Sequence, residues 1–236
     1  MDKPLLLDLF SGAGGAARGY ADAGFEVVGV DMVAQPRYPY VFRQGDALAC
    51  FDALLAGREW GGYVLSDFAA IHASPPCQGY SSSKGLARTA LASWQPLLAP
   101  MRERLTDWGG VWAMENVAGS HRDMRWPLRL CGTQFGLLVY RHRLFETSHP
   151  IFSPGECRHP RYLAEGYLCV YGNQARRRQT GNTRNKYQRA TVAEARAAMG
   201  IEWMTQKELS QSIPPAYTEW IGSQLMAVIQ AHRPAA

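Results

Sequence analysis

The chain has 236 residues, of which 47% are hydrophobic and 19% charged, a composition that supports a packed core and excludes wholesale disorder. Its apolar runs are too short to cross a bilayer, and no signal-peptide pattern follows Asp2 and Lys3, so we expect a soluble, cytoplasmic protein with no membrane partner. The five cysteines have no regular spacing and favour reduced thiols over a disulfide framework.

Positive charge is concentrated in the second half of the chain. Residues 1–118 contain 9 basic and 12 acidic side chains, whereas residues 119–236 contain 16 and 8. Arginine supplies 21 of the 25 basic residues, and its guanidinium group forms bidentate hydrogen bonds with phosphates and guanine edges. The pattern favours a C-terminal half that meets nucleic acid, although an arginine-rich solvated surface would give the same composition.

Strands and helices are expected to alternate in the first third of the chain. A strand over Leu5–Phe10, a glycine-rich turn, a helix to residues 23–24 and a strand over Val27–Val30 form a βαβ pattern. Further strands are expected at Ala70–Ala73 and Gly110–Met114, and a polar cluster follows each. Polar clusters at strand ends are typical of the carboxyl edge of a doubly wound, Rossmann-like α/β sheet.

The second half contains a segment of a different kind. Residues 146–186 are rich in His, Pro, Arg, Gly and Asn, lack apolar periodicity, and contain a stretch at 172–182 that indicates an exposed loop or ribbon. We therefore divide the chain into a catalytic and cofactor-binding part at 1–145, a small insert at 146–186, and a C-terminal part at 187–236 that returns to the first.

Two helices are predicted in the C-terminal part. Thr191 with Glu194 three residues later has the pattern of a capping box, and Gly200 is suited to end that helix. A last helix is expected after Pro214-Pro215 and is predicted to end near Ala231. No internal repeat is found.

The glycine cluster after the first strand predicts a ligand site. Residues 12–17 match the pattern G-x-G-x-x-A, and Asp31 lies 19 residues after Gly12, at the end of the next strand. Glycines let a ligand approach the backbone, a helix N-terminus attracts anions, and an acid at the next strand end can bind ribose hydroxyls. The cluster alone fits NAD, S-adenosylmethionine or a tight turn without any ligand.

Three further clusters carry groups suited to chemistry. The segment 74–77 (SPPC) presents Cys77 after two stiffening prolines, where a thiolate could face a cleft. Glu115 follows a strand and could protonate a ring nitrogen, and residues 140–145 (YRHRLF) alternate cations along an extended segment. Each has a plainer interpretation when taken alone: a buried thiol, a surface acid and an ion-paired strand.

The insert contains possible zinc ligands, but their spacing does not predict a zinc site. Cys157, His159 and Cys169, with or without Cys131, could hold a metal ion and staple the segment. The spacings contain no Cys-x-x-Cys pair, so we expect no metal, and His142 is interpreted as a local hydrogen-bonding residue.

In this order, the motifs resemble those of the DNA cytosine-5 methyltransferase family. The matching segments are the cofactor loop DLFSGAGG (8–15), the ribose acid VD (30–31), the adenine segment GDAL (45–48), the nucleophile motif SPPCQ (74–78), ENV (115–117), RHRLF (141–145), the segment at 189–196 and SIPPA (212–216). The resemblance covers nearly all of the chain except 146–186. It implies a short phage or bacterial type of enzyme, as found in restriction-modification systems, that acts as a monomer.

The resemblance implies a role for each matched residue. Cys77 adds to C6 of a flipped cytosine in double-stranded DNA, Glu115 binds the N3 edge, and Arg143 holds O2 while Arg141 supports the flap or a phosphate. The implied contacts to S-adenosyl-L-methionine are Asp8, Phe10, Ser11, Gly12, Ala13, Gly14, Gly15, Asp31, Met32, Asp46, Ala47, Pro76 and Ser212. The implied nucleic-acid contacts are Gln78, Tyr80, Ser81, Arg176, Arg177, Arg178, Arg184, Lys186 and Arg189.

Departures from the family pattern keep other functions open. Leu138-Val139 stands where the family has Pro-Gln, and Ser210-Gln211 replaces a Gly-Asn pair near the cofactor, so a modified methyl donor remains an alternative. The insert has only about forty residues, where the family has a larger recognition domain. Its size would also suit RNA or a free cytosine nucleotide as substrate, and an inactive DNA-binding relative is the alternative of a different class.

Overall fold

The computed structural model describes residues 2–77, 80, 96–159, 166–172, 174–178 and 187–232. Within these ranges, none of the helices combines the length and the apolar character that a bilayer crossing requires. The main sheet contains β1 (Leu5–Leu9), β2 (Glu26–Asp31), β3 (Val41–Gln44), β4 (Phe68–Ala73), β5 (Val111–Val117), β6 (Leu128–Leu130) and β7 (Arg143–Thr147). A small antiparallel sheet contains β8 (Leu168–Tyr171), β9 (Gln174–Arg178) and β10 (Tyr187–Ala190).

The helices of the described residues flank these sheets. They are α1 (Gly15–Asp22), α2 (Ala47–Leu55), α3 (Leu98–Trp108), α4 (Val192–Met199), α5 (Gln206–Gln211) and α6 (Pro215–His232). Short 3-10 turns lie at Leu65–Asp67, Ala118–Asp123 and Gly132–Phe135.

The main sheet is doubly wound, as the sequence predicts. Its strand order is β3-β2-β1-β4-β5-β7-β6; neighbouring strands from β3 to β5 pair in parallel, and β7 is antiparallel to both β5 and β6. The winding reverses between β1 and β4, which places a crevice at their carboxyl ends. The glycine cluster follows β1 and the Cys77 segment follows β4, so both lie at this crevice.

Each face of the sheet is covered by its own helices. On one face, Leu6 of β1 packs in a cluster with side chains of α1 and α6; on the other, Leu7 and Leu9 pack with side chains of α2 and α3. Because both faces are covered, the central strands are almost continuously apolar, which explains the LLLDL sequence of β1.

Two glycines let α6 lie directly on α1. A Cβ at Gly19 would stand 2.0 Å from the carbonyl oxygen of Pro215, and one at Gly222 would stand 2.8 Å from Cβ of Ala23. Neither position has room for a side chain. The C-terminal helix therefore returns to the first helix of the chain at backbone contact distance.

The predicted elements are found near their expected bounds, and several others were not predicted. The Thr191–Glu194 capping box starts α4, and Gly200 ends it in a left-handed conformation with φ of 68°. The stretch expected as a loop or ribbon at 172–182 contains β9, whose two partners are β8 and β10; residues 173 and 179–182 lie outside the described ones. Sequence analysis missed β3, β6, α2, α3, α5 and the small sheet.

A buried ion pair links α3 to β7. Arg102 Nε lies 2.5 Å from Glu146 Oε1 and its Nη2 lies 2.7 Å from Oε2, with the two side chains 9% and 5% exposed. The same guanidinium donates to the carbonyl oxygen of Asp123, and Glu146 also accepts from the backbone N–H of Arg125 at 2.8 Å. Removing one partner would leave the other charge in a low dielectric.

Glu146→Ala should lower the free energy of unfolding by about 3–5 kcal/mol, because it strands the Arg102 charge in the interior. The matched control is Asp22→Ala, which removes a surface ion pair with Arg18 whose side chains are 48% and 37% exposed. That change should cost no more than about 1 kcal/mol. Urea unfolding of the two variants measures both values, and equal losses would contradict the role given to the buried pair.

Candidate active site

The glycine loop turns sharply between β1 and α1. Phe10, Gly12 and Gly14 have positive φ values of 60°, 50° and 86°, of which only the first is at a residue with a side chain. A Cβ at Gly14 would meet Cδ of Pro39 at 2.8 Å, whereas one at Gly12 would have no atom within 4 Å. The backbone at Gly12 therefore faces open space that a ligand can occupy.

Asp31 joins the end of β2 to this loop. Its carboxylate accepts the backbone N–H of Gly12 at 2.9 Å and that of Val33 at 2.9 Å. Met32 and Val33 beside it are each 65% exposed, although both are apolar. An acid flanked by exposed apolar side chains at the carboxyl end of β2 suits the ribose and the flat ring of a nucleoside.

Ser11 of the glycine loop and Ser212 after α5 lie at the inner side of the loop. Ser11 is 8% exposed, and its Oγ has no hydrogen-bond partner within the described residues. A Cβ on Gly15 would stand 1.9 Å from Oγ of Ser212, so the segment after α5 is in contact with the loop. Trp203 closes the same side by donating its Nε1–H to the carbonyl oxygen of Ala13 at 2.9 Å.

Asp8 and Asp46, both predicted to contact the cofactor, have structural partners. Asp8 is fully buried below the loop, accepts a hydrogen bond from the Tyr38 hydroxyl at 3.2 Å, and has its pKa raised to about 8 by burial. Asp46 caps α2 by accepting the N–H of Ala49 at 2.9 Å, and Ala47 after it is buried. Asp46 itself is exposed, so its second carboxylate oxygen remains available to a ligand.

The Cys77 segment is fixed by backbone contacts on both sides. The N–H of Ser74 donates to the carbonyl oxygen of Leu9 at 3.1 Å, and the side-chain amide of Asn116 donates to that of Pro75 at 2.9 Å. Asn116 stands next to Glu115 at the end of β5, so one residue of the ENV motif positions the Cys77 segment. Pro76 and Cys77 are half-buried, and a Tyr80 N–H to Cys77 oxygen bond of 2.9 Å begins the next turn.

Glu115, Arg143 and Cys77 form one electrostatic group. Arg143 Nε lies 2.9 Å from Glu115 Oε1 as an ion pair, with side chains 12% and 8% exposed. Burial raises the pKa of Glu115, and Arg143 opposes that shift. Burial also raises the pKa of the Cys77 thiol, with a further increase from Glu115 and an opposing effect of Arg143. The sequence predicts these three as catalytic, and the structure brings them together.

A buried histidine that the sequence analysis gave no role lies behind Glu115. His72 of β4 makes two hydrogen bonds through its ring nitrogens. Nδ1 lies 2.9 Å from the Tyr20 hydroxyl, and Nε2 lies 2.8 Å from Ser74 Oγ. Burial lowers the pKa of His72 to about 3, so the ring is neutral. Ser74 in turn hydrogen-bonds Glu115 and lowers the pKa of that carboxyl group. A lone His in an apolar strand was the only sequence signal.

Arg141 has a different role from its predicted one. The sequence places it at a flap or phosphate, but its side chain is buried and donates to the carbonyl oxygens of Ser212, Val170 and Ser210 at 2.7, 3.0 and 2.8 Å. Burial lowers its pKa to about 9. Its φ of 29° turns the chain between Arg141 and Arg143, so the two guanidinium groups lie in different surroundings.

The predicted nucleic-acid contacts are described only in part. Arg176 and Arg189 are both exposed and stand opposite each other in the β9–β10 pair. Arg177 and Arg178 belong to β9, and Tyr80 is half-buried. The predicted contacts at Gln78, Ser81, Arg184 and Lys186 lie outside the described residues.

No protein-family model matches the sequence, and no curated protein matches it. Solved structures do share the fold: a protein assigned as a DNA modification methyltransferase within a prophage of E. coli has a TM-score of 0.59 and 14% identity over 96% of this chain and 99% of that one. S. pombe Dnmt2 methyltransferase gives 0.61 and 13% over 97% and 99%. The Entamoeba histolytica methyltransferase EhMeth gives 0.62 and 11% over 97% and 99%. The chain therefore has a methyltransferase fold of the Rossmann-like type.

Arg141→Met should lower the free energy of unfolding by at least about 2 kcal/mol, because each buried acceptor left without a donor costs about 1–3 kcal/mol. Arg43→Met is the control: this exposed arginine also donates to backbone oxygens, of Gly61 at 3.0 Å and Phe42 at 3.2 Å, but water can replace it. The control should change stability by no more than about 0.5 kcal/mol in chemical denaturation. A neutral Arg141→Met would mean that the three oxygens have other partners.

Proposed function

We propose that the protein transfers a methyl group from S-adenosyl-L-methionine to C5 of cytosine in DNA. The observation that carries the proposal is the grouping of Cys77, Glu115 and Arg143 at the same sheet edge as the glycine loop. A thiol, a buried carboxyl group and a guanidinium are the groups that nucleophilic addition to a cytosine ring requires. The shared fold with solved methyltransferases agrees with this reaction class.

The residues of the glycine loop suit the proposed cofactor. Gly12 faces open space, and Ser11 Oγ is a buried polar atom without a partner among the described residues. We assign the ribose to Asp31, the adenine surroundings to Met32 and Asp46, and the methionine end to the loop between Phe10 and Gly15. Bound there, S-adenosyl-L-methionine would supply an electrophilic methyl group.

In the proposed reaction, Cys77 loses a proton and Glu115 donates one. The Cys77 thiol loses its proton to water and its sulfur forms a bond to C6, while Glu115 donates a proton to N3, so the ring's electron pair becomes available at C5. C5 would use that electron pair to bond the methyl carbon, and the thioether S-adenosylhomocysteine would be the leaving group. A water molecule would then take the C5 proton, the bond between C6 and sulfur would break and N3 would return its proton to Glu115, which restores the aromatic ring and the Cys77 thiolate. Arg143 holds the O2 oxygen and compensates the carboxylate that remains on Glu115.

The target base must leave the helix stack for these groups to reach it. C5 and C6 lie within a stacked duplex, so we expect the cytosine to be flipped into the site. The small sheet is the candidate nucleic-acid surface. Arg176 and Arg189 are exposed and directly opposed across β9 and β10, an arrangement of like charges that is unfavourable without an anion between them. We assign phosphate contacts to this pair.

Cys77→Ser should abolish a covalent adduct that wild type forms with 5-fluorocytosine. Fluorine cannot leave C5 as a proton, so the reaction should stop with Cys77 bonded to C6. The experiment uses a pool of mixed-sequence DNA duplexes that carry 5-fluorocytosine, with the methyl donor, and detects a band shift in denaturing gels. Cys169→Ser, which changes a half-buried cysteine of β8, is the control and should retain the adduct.

The substrate class is tested in parallel with the same base in RNA, and with tritiated methyl donor and unsubstituted DNA, RNA or dCTP. An adduct with RNA and none with DNA would overturn the DNA assignment and leave the chemistry intact. Tritium transfer to cytosine without any adduct would overturn the role of Cys77. Transfer to no substrate would favour an inactive binding protein.

Asp31→Ala should weaken S-adenosyl-L-methionine binding by about five- to tenfold, since a lost hydrogen bond to a ribose hydroxyl costs about 1–1.4 kcal/mol. The change also removes the contacts to the N–H groups of Gly12 and Val33, which shape the loop. Titration calorimetry measures the affinity, with Asp22→Ala as a surface control. Unchanged affinity would place the ribose elsewhere, and NAD binding as tight as the methyl donor would favour an oxidoreductase.

A further inference from the structure

Four metal-ligating side chains from three separate segments converge beside the Arg141–Arg143 turn. They are Cys131, His142, Cys157 and His159, and one ligand atom from each lies within 4.8 Å of the other three. Cys131 follows β6, His142 precedes β7, and the other two lie in the segment after β7. Tertiary folding alone brings them together, because 28 positions separate the first from the last.

The distances within this cluster are close to those of ligands on one ion. Nε2 of His142 lies 3.2 Å from Nε2 of His159 and 3.2 Å from Sγ of Cys157. Two nitrogens bound to one tetrahedral zinc at about 2.0–2.1 Å stand about 3.3–3.4 Å apart. A hydrogen bond between the two rings would account for one contact, but it would not require two thiols at the same point.

Surrounding groups already hold the ligands in place. The ring of His159 stacks on Tyr140 with centroids 4.2 Å apart and planes 17° apart. Gln134 accepts the backbone N–H of Cys131 at 2.7 Å and donates to the carbonyl oxygen of Gly155 at 2.6 Å, two residues before Cys157. Hydrogen bonds and ring contacts of this kind, made by residues around the ligands, orient the ligands of metal sites. Cys131 is fully buried and the other three are half-buried, which limits access of water.

We propose that these four side chains form a Cys2His2 zinc site with a structural role. Thiolate and imidazole ligands in tetrahedral arrangement suit Zn²⁺, and four protein ligands leave no open position for chemistry. The backbone oxygen of His142 accepts from Arg143 Nη1 at 3.0 Å, so a metal on His142 would fix the segment that carries Arg143. The proposal does not depend on methyl transfer.

These four ligands differ from the possible zinc ligands that the sequence offers in the insert. Cys169, included there, lies in β8 opposite Arg176 and is outside the cluster. His142, interpreted there as a local hydrogen-bonding residue, is inside it. The ligand spacings are ten, fourteen and one residue, which no short zinc motif predicts.

The test is the metal content of the full chain. Wild type purified without chelators should contain about one zinc per chain by elemental analysis, and chelator-treated protein should take up about one equivalent again. Adding Co²⁺ to the stripped protein should give the visible absorption of tetrahedral cobalt with thiolate ligands. Added Zn²⁺ should also raise Tm, because it binds the folded state.

Cys157→Ser and His159→Ala should lose most of the zinc and the thiolate-cobalt spectrum. The matched controls are Cys169→Ser and His149→Ala, a cysteine and a histidine of nearby segments outside the cluster, and both should bind like wild type. The wild-type cobalt spectrum still tests the proposed site even where a variant fails to fold. Absence of metal and spectrum in wild type, a Cys131–Cys157 disulfide in intact mass, or equal loss in the controls would overturn the proposal.

Discussion

One buried cation joins three parts of this molecule that are distant in sequence. The Arg141 guanidinium is held by backbone oxygens of β8, of α5 and of the connection between α5 and α6. Burying a guanidinium is costly, and three carbonyl acceptors at hydrogen-bond distance compensate for the lost water. The same connection carries Ser212, which lies against Gly15. The small sheet, the glycine loop and the Arg143 segment are thus positioned by a single side chain.

The parts of the fold that follow local rules were predictable. The first two strands, the capping box at Thr191 and the ending at Gly200 depend on residues next to one another in sequence. β3 was missed because its four residues are only half-buried or exposed at the sheet edge, so no apolar run marks it. α2 was missed for the opposite reason: the sequence ALACFDALL is apolar nearly all round and gives little helical periodicity.

The candidate site also contains features that could be predicted from the sequence and features that could not. Strand-end clusters of a parallel sheet meet at one edge, so the approach of Cys77 to Glu115 could be expected from the sequence alone. The pattern Arg-x-Arg could not show which arginine faces inward, because that depends on the positive φ at Arg141 and on acceptors about 30 and 70 residues away. The Cys2His2 cluster was hidden for a related reason, since its ligands meet only after β6, β7 and the following segment have folded together.

The charges of the site set the order of its proton movements under the proposed function. Burial raises the pKa of both Cys77 and Glu115, and the charge on Glu115 raises that of Cys77 further. Two negative charges beside one guanidinium would repel each other, because Arg143 compensates only one of them. A proton on Glu115 therefore favours the Cys77 thiolate. By the time that proton passes to N3 of the base, the Cys77 sulfur has formed its bond to C6 and no longer carries a negative charge. Cys77 and Glu115 therefore need not be negatively charged at the same time.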